Sequence, residues 1–503
     1  MATWTGGPGP DQYTGGDEDD VIDGAGGDDT LDGGGGVDTL NGGPGNDTLI
    51  ASAGSYNDDA LGRRYEYLYG GDGDDIFIVD ADNAFDYHRL DGGDGFDVIV
   101  MDHQDYLGVT TDDWDGETFP ALFSGSTTNV MLKSIEGLGA YETTDLAALR
   151  FRGDDEREPT VFFTNLALLG TEAINGFGTK EDNYIRGNDA ANYLNGRGGA
   201  DTLEGRGGDD TYVVNVVGDQ VIEAADGGRD EVRSHVSFTL GDHVEDLQLL
   251  GGGATTGEGN ALANVIVGNG ANNILRGFGG ADRLDGGLGE DVMYGGFGND
   301  KYYVEDGGDR VFEGGSAGWD TVFSSVTFTL PANVEQLVLV GTGAIDGTGN
   351  ELANVITGND GANTLIGGRG ADTIDGGVGP DRLFGGLGND SLKGGSGYDG
   401  FYFSTALDPS NNVDTILAFS PFYDTIFLSR SIFTALPAGA LSEEAFHTGS
   451  SAGDPSDRII YQKSTGSIFY DADGSGGTAA VLFAQVAPGT ELTYLDFNVY
   501  VPG

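Results

Sequence analysis

Sixteen aspartates recur at the sixth place of a nine-residue frame, and this spacing is the first chemical signal in the chain. They are Asp11, Asp20, Asp29, Asp38, Asp47, Asp75, Asp97, Asp201, Asp210, Asp282, Asp291, Asp300, Asp372, Asp381, Asp390 and Asp399. If two nonapeptides make one coil, residues 18 apart stack at about 4.8 Å, the spacing of paired strands. Six Asp/Asp pairs then form: Asp11/Asp29, Asp20/Asp38, Asp29/Asp47, Asp282/Asp300, Asp372/Asp390 and Asp381/Asp399. Two carboxylates about 5 Å apart repel by roughly 3 kcal/mol at an effective dielectric near 20. Summed over the pairs, the repulsion is on the order of a domain's whole stability, about 5–15 kcal/mol. A cation between the coils removes it. Oxygen-only ligands from carboxylates and turn carbonyls suit a hard dication, and Ca²⁺ suits them better than the stricter Mg²⁺. Asp75 and Asp97 stand 22 apart, outside the 18-residue rule.

Other chemistry is sparse. The chain has five His and no HExxH, which excludes a zinc protease of that type. GxSxG occurs around Ser316 and Ser451, but that motif needs a strand-to-helix elbow in an α/β fold, and Gly is everywhere in this chain. DADGSG at Asp471 imitates the start of a calcium loop. Its twelfth place is Leu482 and strands flank it, so a hairpin turn is expected. Asp102, His103 and Asp105 near Ser124 read as a solvated loop. With no Cys, disulfides and thiolate metal sites are excluded.

The elements that position the aspartates follow from the frame. It appears as five consecutive units over residues 6–50, four over 178–213, five over 259–303 and six over 349–402, with single units at 70–78 and 92–100. All 22 units begin with Gly and carry an apolar residue at the eighth place. Gly at the first, second and fourth places is expected to supply φ > 0, making the first six residues a turn. The last three form a short strand with one inward apolar side chain. One such strand cannot bury its apolar residue alone, so the units must stack.

GGxGxD-x-apolar-x in runs of five and six resembles the RTX, or hemolysin-type, calcium-binding repeat. That nonapeptide is a known repeat class. The resemblance implies a right-handed parallel β-roll with Ca²⁺ between turns, and export by a type I secretion system through a C-terminal signal. The first residues, MATWTGGPGPDQYT, have neither the basic region nor the apolar core of a Sec-type signal peptide. Six units depart from the pattern by carrying Asn at place six: Asn183, Asn192, Asn264, Asn273, Asn354 and Asn363. They open the last three blocks and read as entry coils that need little or no calcium. On this reading the second block holds no Asp/Asp pair, and its calcium binding is in question.

A longer repeat overlies the short one. DQVIEAADGGRDEV from Asp219 matches DRVFEGGSAGWDTV from Asp309 at an offset of 90, and the two inserts read as wider β-coils. The strand TNLALLGT, from Thr164, resembles the end of each insert. From Phe403 the nonapeptides stop, and the remainder resembles the C-terminal module that closes RTX rolls in serralysin-type proteases. Its final LDFNVYVPG resembles that family's acidic-then-apolar secretion tail.

The expected organisation is therefore all-β: a parallel β-roll or β-helix solenoid in several blocks, with β-rich inserts and a C-terminal β cap. Residues 1–100 form an N-terminal roll and 101–177 a β-rich non-repeat insert. Residues 178–402 hold roll blocks separated by inserts at 214–258 and 304–348, and 403–503 form the cap and secretion region. The net charge of -60 argues against nucleic acid and anionic membranes as partners and for cations. No apolar run is long enough to span a bilayer. The expectation is a secreted, extracellular bacterial protein that folds on Ca²⁺, without catalysis, in a structural, surface or adhesive role. Its partners would be calcium ions, the type I secretion machinery and a cell-surface or matrix polysaccharide. The alternative is a secreted enzyme acting on polysaccharide or another polymer, with a site in residues 101–177 or in the inserts.

Overall fold

The nine-residue frame folds as its periodicity requires, into short strands, many of three residues, that alternate between two faces. The computed structural model describes residues 2–52, 66–73, 75–79, 87–94, 98–101, 108–109, 129–133, 137–140, 144–145, 165–169, 171–315 and 317–502. Two compact units divide the chain: Met1–Val236 with Gly241–Val244, and Ser237–Leu240 with Glu245–Gly503. Among the described residues the helical elements are two short 3-10 turns, Glu443–Ala445 and Tyr494–Asp496. None of the described helices is long and apolar enough to cross a membrane.

In the first unit, Thr3–Thr5, Val21–Asp23, Thr39–Pro44 and Glu66–Asp72 lie side by side in one sheet. Gln12–Thr14, Thr30–Asp32, Thr48–Ala51 and Ile76–Val79 form the other. The pairing is parallel and steps by one coil: Ile22 faces Leu40, and Leu31 faces Leu49. The step lengthens where Leu40 faces Leu68 and Leu49 faces Phe77. The roll continues through Tyr184–Arg186, Thr202–Glu204 and Gln220–Ile222 on one face and Tyr193–Asn195 and Thr211–Val214 on the other.

In the second unit the same stacking runs through Val265–Val267, Arg283–Asp285 and Lys301–Val304, opposite Ile274–Gly279, Val292–Phe297 and Arg310–Phe312. The insert that follows is also made of coils, but not of uniformly wider ones as expected. Lys301 pairs with Thr321, Thr321 with Gln336, and Gln336 with Val355. These steps of 20, 15 and 19 residues include one shorter than the roll's own 18. The sheet that holds Arg310–Phe312 ends there, and Phe328–Thr329 starts a new one that carries the next block. Asn165–Leu168 pairs with Tyr184–Arg186 at the 19-residue step of the insert ends, as its sequence likeness suggests.

Place eight is the core. Leu284 and Tyr302 are each 0% exposed, as are Leu365, Leu383 and Phe401 on the opposite face. Full burial of one such side chain is worth about 1.5–3 kcal/mol. Past the last nonapeptide, Asp414–Leu417 and Thr425–Ser429 extend the two faces at longer steps. Ile459–Gln462, Ser467–Tyr470 and Val481–Gln485 then turn antiparallel, while Phe497–Tyr500 pairs with Thr425–Ser429. Phe433 packs edge-on against Tyr470 and Phe483, with ring centroids 5.0 and 5.1 Å away. An antiparallel cap with its own apolar core covers strand groups that a roll end would expose. The loop at Asp471 joins two antiparallel strands, as expected of a hairpin turn.

Candidate metal centre

Each coil of the roll holds its place-six side chain in a buried column beneath the turns. The backbone N–H of Asp282 donates to Oδ1 of Asp300 at 2.8 Å, and Asp372 donates to Asp390 in the same way. The first oxygen of each carboxylate is thus used by the coil before it. The second oxygen is not. Oδ2 of Asp29, Asp38, Asp47, Asp201, Asp210, Asp282, Asp291, Asp300, Asp372, Asp381, Asp390 and Asp399 is buried with no hydrogen-bond partner. A buried acceptor left without a partner costs about 1–3 kcal/mol, and more when it is charged. Twelve orphans in two columns per coil stack are the signature of an oxygen-seeking ligand.

The orphans face a formed hollow. A Cβ added to Gly367 would fall under 3.0 Å from both Asp372 Oδ2 and the carbonyl oxygen of Gly385 in the next coil. Gly376 meets Asp381 Oδ2 and the Gly394 carbonyl in the same way, and Gly24 meets Asp29 Oδ2 and the Gly42 carbonyl. The place-one glycine is therefore required for room. Its φ is not in the left-handed range, contrary to the expectation; places two and four take that conformation.

The columns begin differently. Asn264 Oδ1 accepts the N–H of Asn260, and its Nδ2 donates to the Glu245 carbonyl. Asn354 and Asn363 make the same pair of bonds, to Asn350 and Val334 and to Asn359 and Ile345. Asp11 and Asp20 accept the N–H of Gly7 and Gly16 on Oδ2. In these opening coils the place-two N–H satisfies the side chain. In later coils the place-two residue has φ > 0, even where it is Ala25, Arg197, Arg206 or Phe278, and that N–H bond to the side chain is absent. The turn of one peptide exchanges a backbone donor for a site that needs a cation.

Charge follows the same division. Hydrogen bonds from Gly16 and Ala2 hold the Asp20 carboxyl below its ordinary value. Burial pushes Asp282, Asp372 and Asp381 up to about 7, opposed by the backbone N–H each accepts and assisted by the stacked Asp. Burial raises Asp210 to about 8. Desolvation, ahead of Asp–Asp repulsion, is the chief penalty on these carboxylates.

A family model described as the RTX calcium-binding nonapeptide repeat matches residues 5–40, 32–55, 67–85, 177–212, 258–293, 277–311, 348–383 and 371–401. The chain carries RTX calcium-binding nonapeptide repeats. No curated protein matches it. Its RTX coils form a calcium-binding β-solenoid, and the orphaned oxygens and facing carbonyls are a donor set that fits Ca²⁺.

The RTX columns extend past the nonapeptides. Asp201 donates its N–H to Asp219 and Asp210 to Asp230, so the second block does contain stacked Asp pairs. The frame hid them because these partners lie in the insert. Asp291 and Asp300 likewise meet Asp309 and Asp320, and Asp390 and Asp399 meet Asp414 and Asp424. Asp75 stacks over Asp47, 28 residues on, which the 22-residue spacing could not suggest. The columns through Asp219, Asp309 and Asp424 stop where their Oδ2 accepts N–H groups of Asn215, Glu305 and Ser420. Asp97, Asp102, His103, Asp105, Ser124 and Ser316 lie outside the described residues.

Proposed function

We propose that this chain is a secreted protein whose RTX coils fold around extracellular Ca²⁺ and whose role is structural, at a surface, in a matrix or in adhesion. The observation that carries it is the column of buried, partnerless Oδ2 atoms facing coil carbonyls. An ion-free fold must bury these charges uncompensated, at a formal net charge of -60. All sixteen place-six aspartates are assigned as ligands, Asp11 and Asp20 through the pairs they open. Affinity in the extracellular range of about 10⁻⁴–10⁻³ M keeps the chain unfolded in a low-calcium cytosol. That suits export through the narrow channel of a type I system, directed by the C-terminal region. A cell-surface or matrix polysaccharide is the partner this reading proposes.

Circular dichroism of the full chain, titrated with Ca²⁺ from excess chelator, tests the reading. β-structure should appear cooperatively as calcium is added. A chain already fully folded in chelator would refute it.

A further inference from the structure

The column Asn264, Asp282, Asp300 leaves the nonapeptide frame after Tyr303, and the hollow at its end is built from different residues. At Gly295 the place-six oxygen is present as usual, Asp300 Oδ2. No following glycine carbonyl is among the nearest atoms. Oε1 of Glu313 and the hydroxyl of Tyr302 stand there instead, each under 3.0 Å from the position of an added Cβ. The Tyr302 hydroxyl donates to Glu313. Asp320, one coil on, accepts the Asp300 N–H at 2.8 Å on Oδ1. One oxygen from each of Asp300, Glu313 and Asp320 lies within 4.8 Å of the others.

An acidic cluster alone would say little. Here Asp300 and Asp320 are each 0% exposed, and the Oδ2 of each has no hydrogen-bond partner. The arrangement also recurs 90 residues earlier. At Gly205 the atoms are Asp210 Oδ2, Glu223 Oε1 and the Tyr212 hydroxyl, and Asp210, Glu223 and Asp230 form the matching trio. One trio lies in each compact unit. Glu223 and Glu313 both lie beyond the residues matched by the repeat family. If Glu313 served only to accept the Tyr302 proton, a neutral amide would do so without adding a third charge to two buried carboxylates.

We propose that Asp300/Glu313/Asp320 and Asp210/Glu223/Asp230 are two three-carboxylate cation sites that end the repeat columns, and that they hold Ca²⁺ and its trivalent analogues more tightly than the hollows within the blocks. In each, glutamate replaces the glycine carbonyl of the next coil as the oxygen donor. Affinity for hard cations rises with the number of charged ligands, and a trio of carboxylates favours a trivalent ion further. The proposal takes its ion from the calcium reading of the repeats.

The test uses the full chain, with Ca²⁺ stoichiometry by equilibrium dialysis and Tb³⁺ emission excited through tyrosine. The wild type should fill a class of two tight ions before the rest. Glu313→Gln and Glu223→Gln should each remove one, with at least about a tenfold loss of affinity at that site. Gln still accepts the tyrosine proton, so a purely structural glutamate predicts two tight ions in the double variant, and that result overturns the proposal. Tyr302→Phe should keep its ion while dimming the tyrosine-excited emission; loss of the ion there with retention in Glu313→Gln also overturns it. Circular dichroism at saturating Ca²⁺ checks folding, and the two sites serve as independent copies. A wild type that binds no Ca²⁺ refutes the calcium reading and this proposal together. One that binds Ca²⁺ with a tight class indifferent to both glutamates refutes this proposal alone.

Discussion

Asn264 and Asp282 occupy the same place in successive coils and need opposite partners. The amide finds a backbone donor and a backbone acceptor, while the carboxylate is left with one oxygen unsatisfied. The spacing of the aspartates was legible in sequence, and so was the oddness of the Asn coils. The charge argument drawn from it was incomplete, because burial loads Asp201 as it loads Asp390, whatever residue stands 18 places before. Asp219 and Asp309 were within reach of the 18-residue rule had it been carried beyond the glycine frame. Asp230, Asp320, Asp414 and Asp424 were not, since coils of irregular length set their registers. Asp201→Ala and Asp390→Ala should therefore both raise the calcium midpoint of folding, followed by circular dichroism. A shift confined to Asp390→Ala would mean that Asp–Asp repulsion, and not burial, sets the demand for the ion. Gly367→Ala should be worse than Gly343→Ala, because the first methyl enters the ion's hollow and the second meets nothing within 4 Å. Overpacking of this kind costs about 1–3 kcal/mol, read as a lower unfolding midpoint in urea at fixed Ca²⁺. Equal midpoints would remove the hollow from the argument.

At the scale of the coil, the turn carries the chemistry and the strand carries the packing. Three residues with one buried side chain make too little contact to stand alone, so stability comes from neighbours above and below. Leu383→Ala leaves a cavity in a fully buried column and should cost about 2–5 kcal/mol. Leu387→Ala, at the end of the same strand and 37% exposed, should stay within about 0.5 kcal/mol. Chemical denaturation at saturating Ca²⁺ distinguishes them, and similar losses would contradict the one-residue core. These elements were readable because glycine and apolar residues repeat without a gap. The inserts kept an apolar alternation but no frame, so their strands were foreseen and their steps of 20, 15 and 19 were not. The cap was recognisable from where repetition stopped, while its antiparallel pairing depends on long-range closure that no local pattern carries.

For the molecule as a whole, the raised carboxylates link folding to pH. Asp38 and Asp282 sit at about 7 and Asp210 and Asp414 at about 8, all above the ordinary carboxylate value and all chiefly through burial. The folded, ion-free chain therefore holds protons that the unfolded chain has released, and its stability falls as pH rises through these values. In chelator, β-structure should be greater at about pH 5.5 than at about pH 8. Because protons and Ca²⁺ compete for the same oxygens, the calcium midpoint should move the opposite way, to higher concentration at low pH. A midpoint independent of pH would place the ions elsewhere. The opening asparagines have one more consequence. Asn354 and Asn363 start their columns by the same bonds whichever aspartate comes next, and Gly367 meets Gly386 in frame if residues 368–385 are removed. The excision would seat Asn354 against Asp390 and Asn363 against Asp399 with every strand still in step. A roll built this way can be extended or shortened in whole coils, as a staircase is by whole steps.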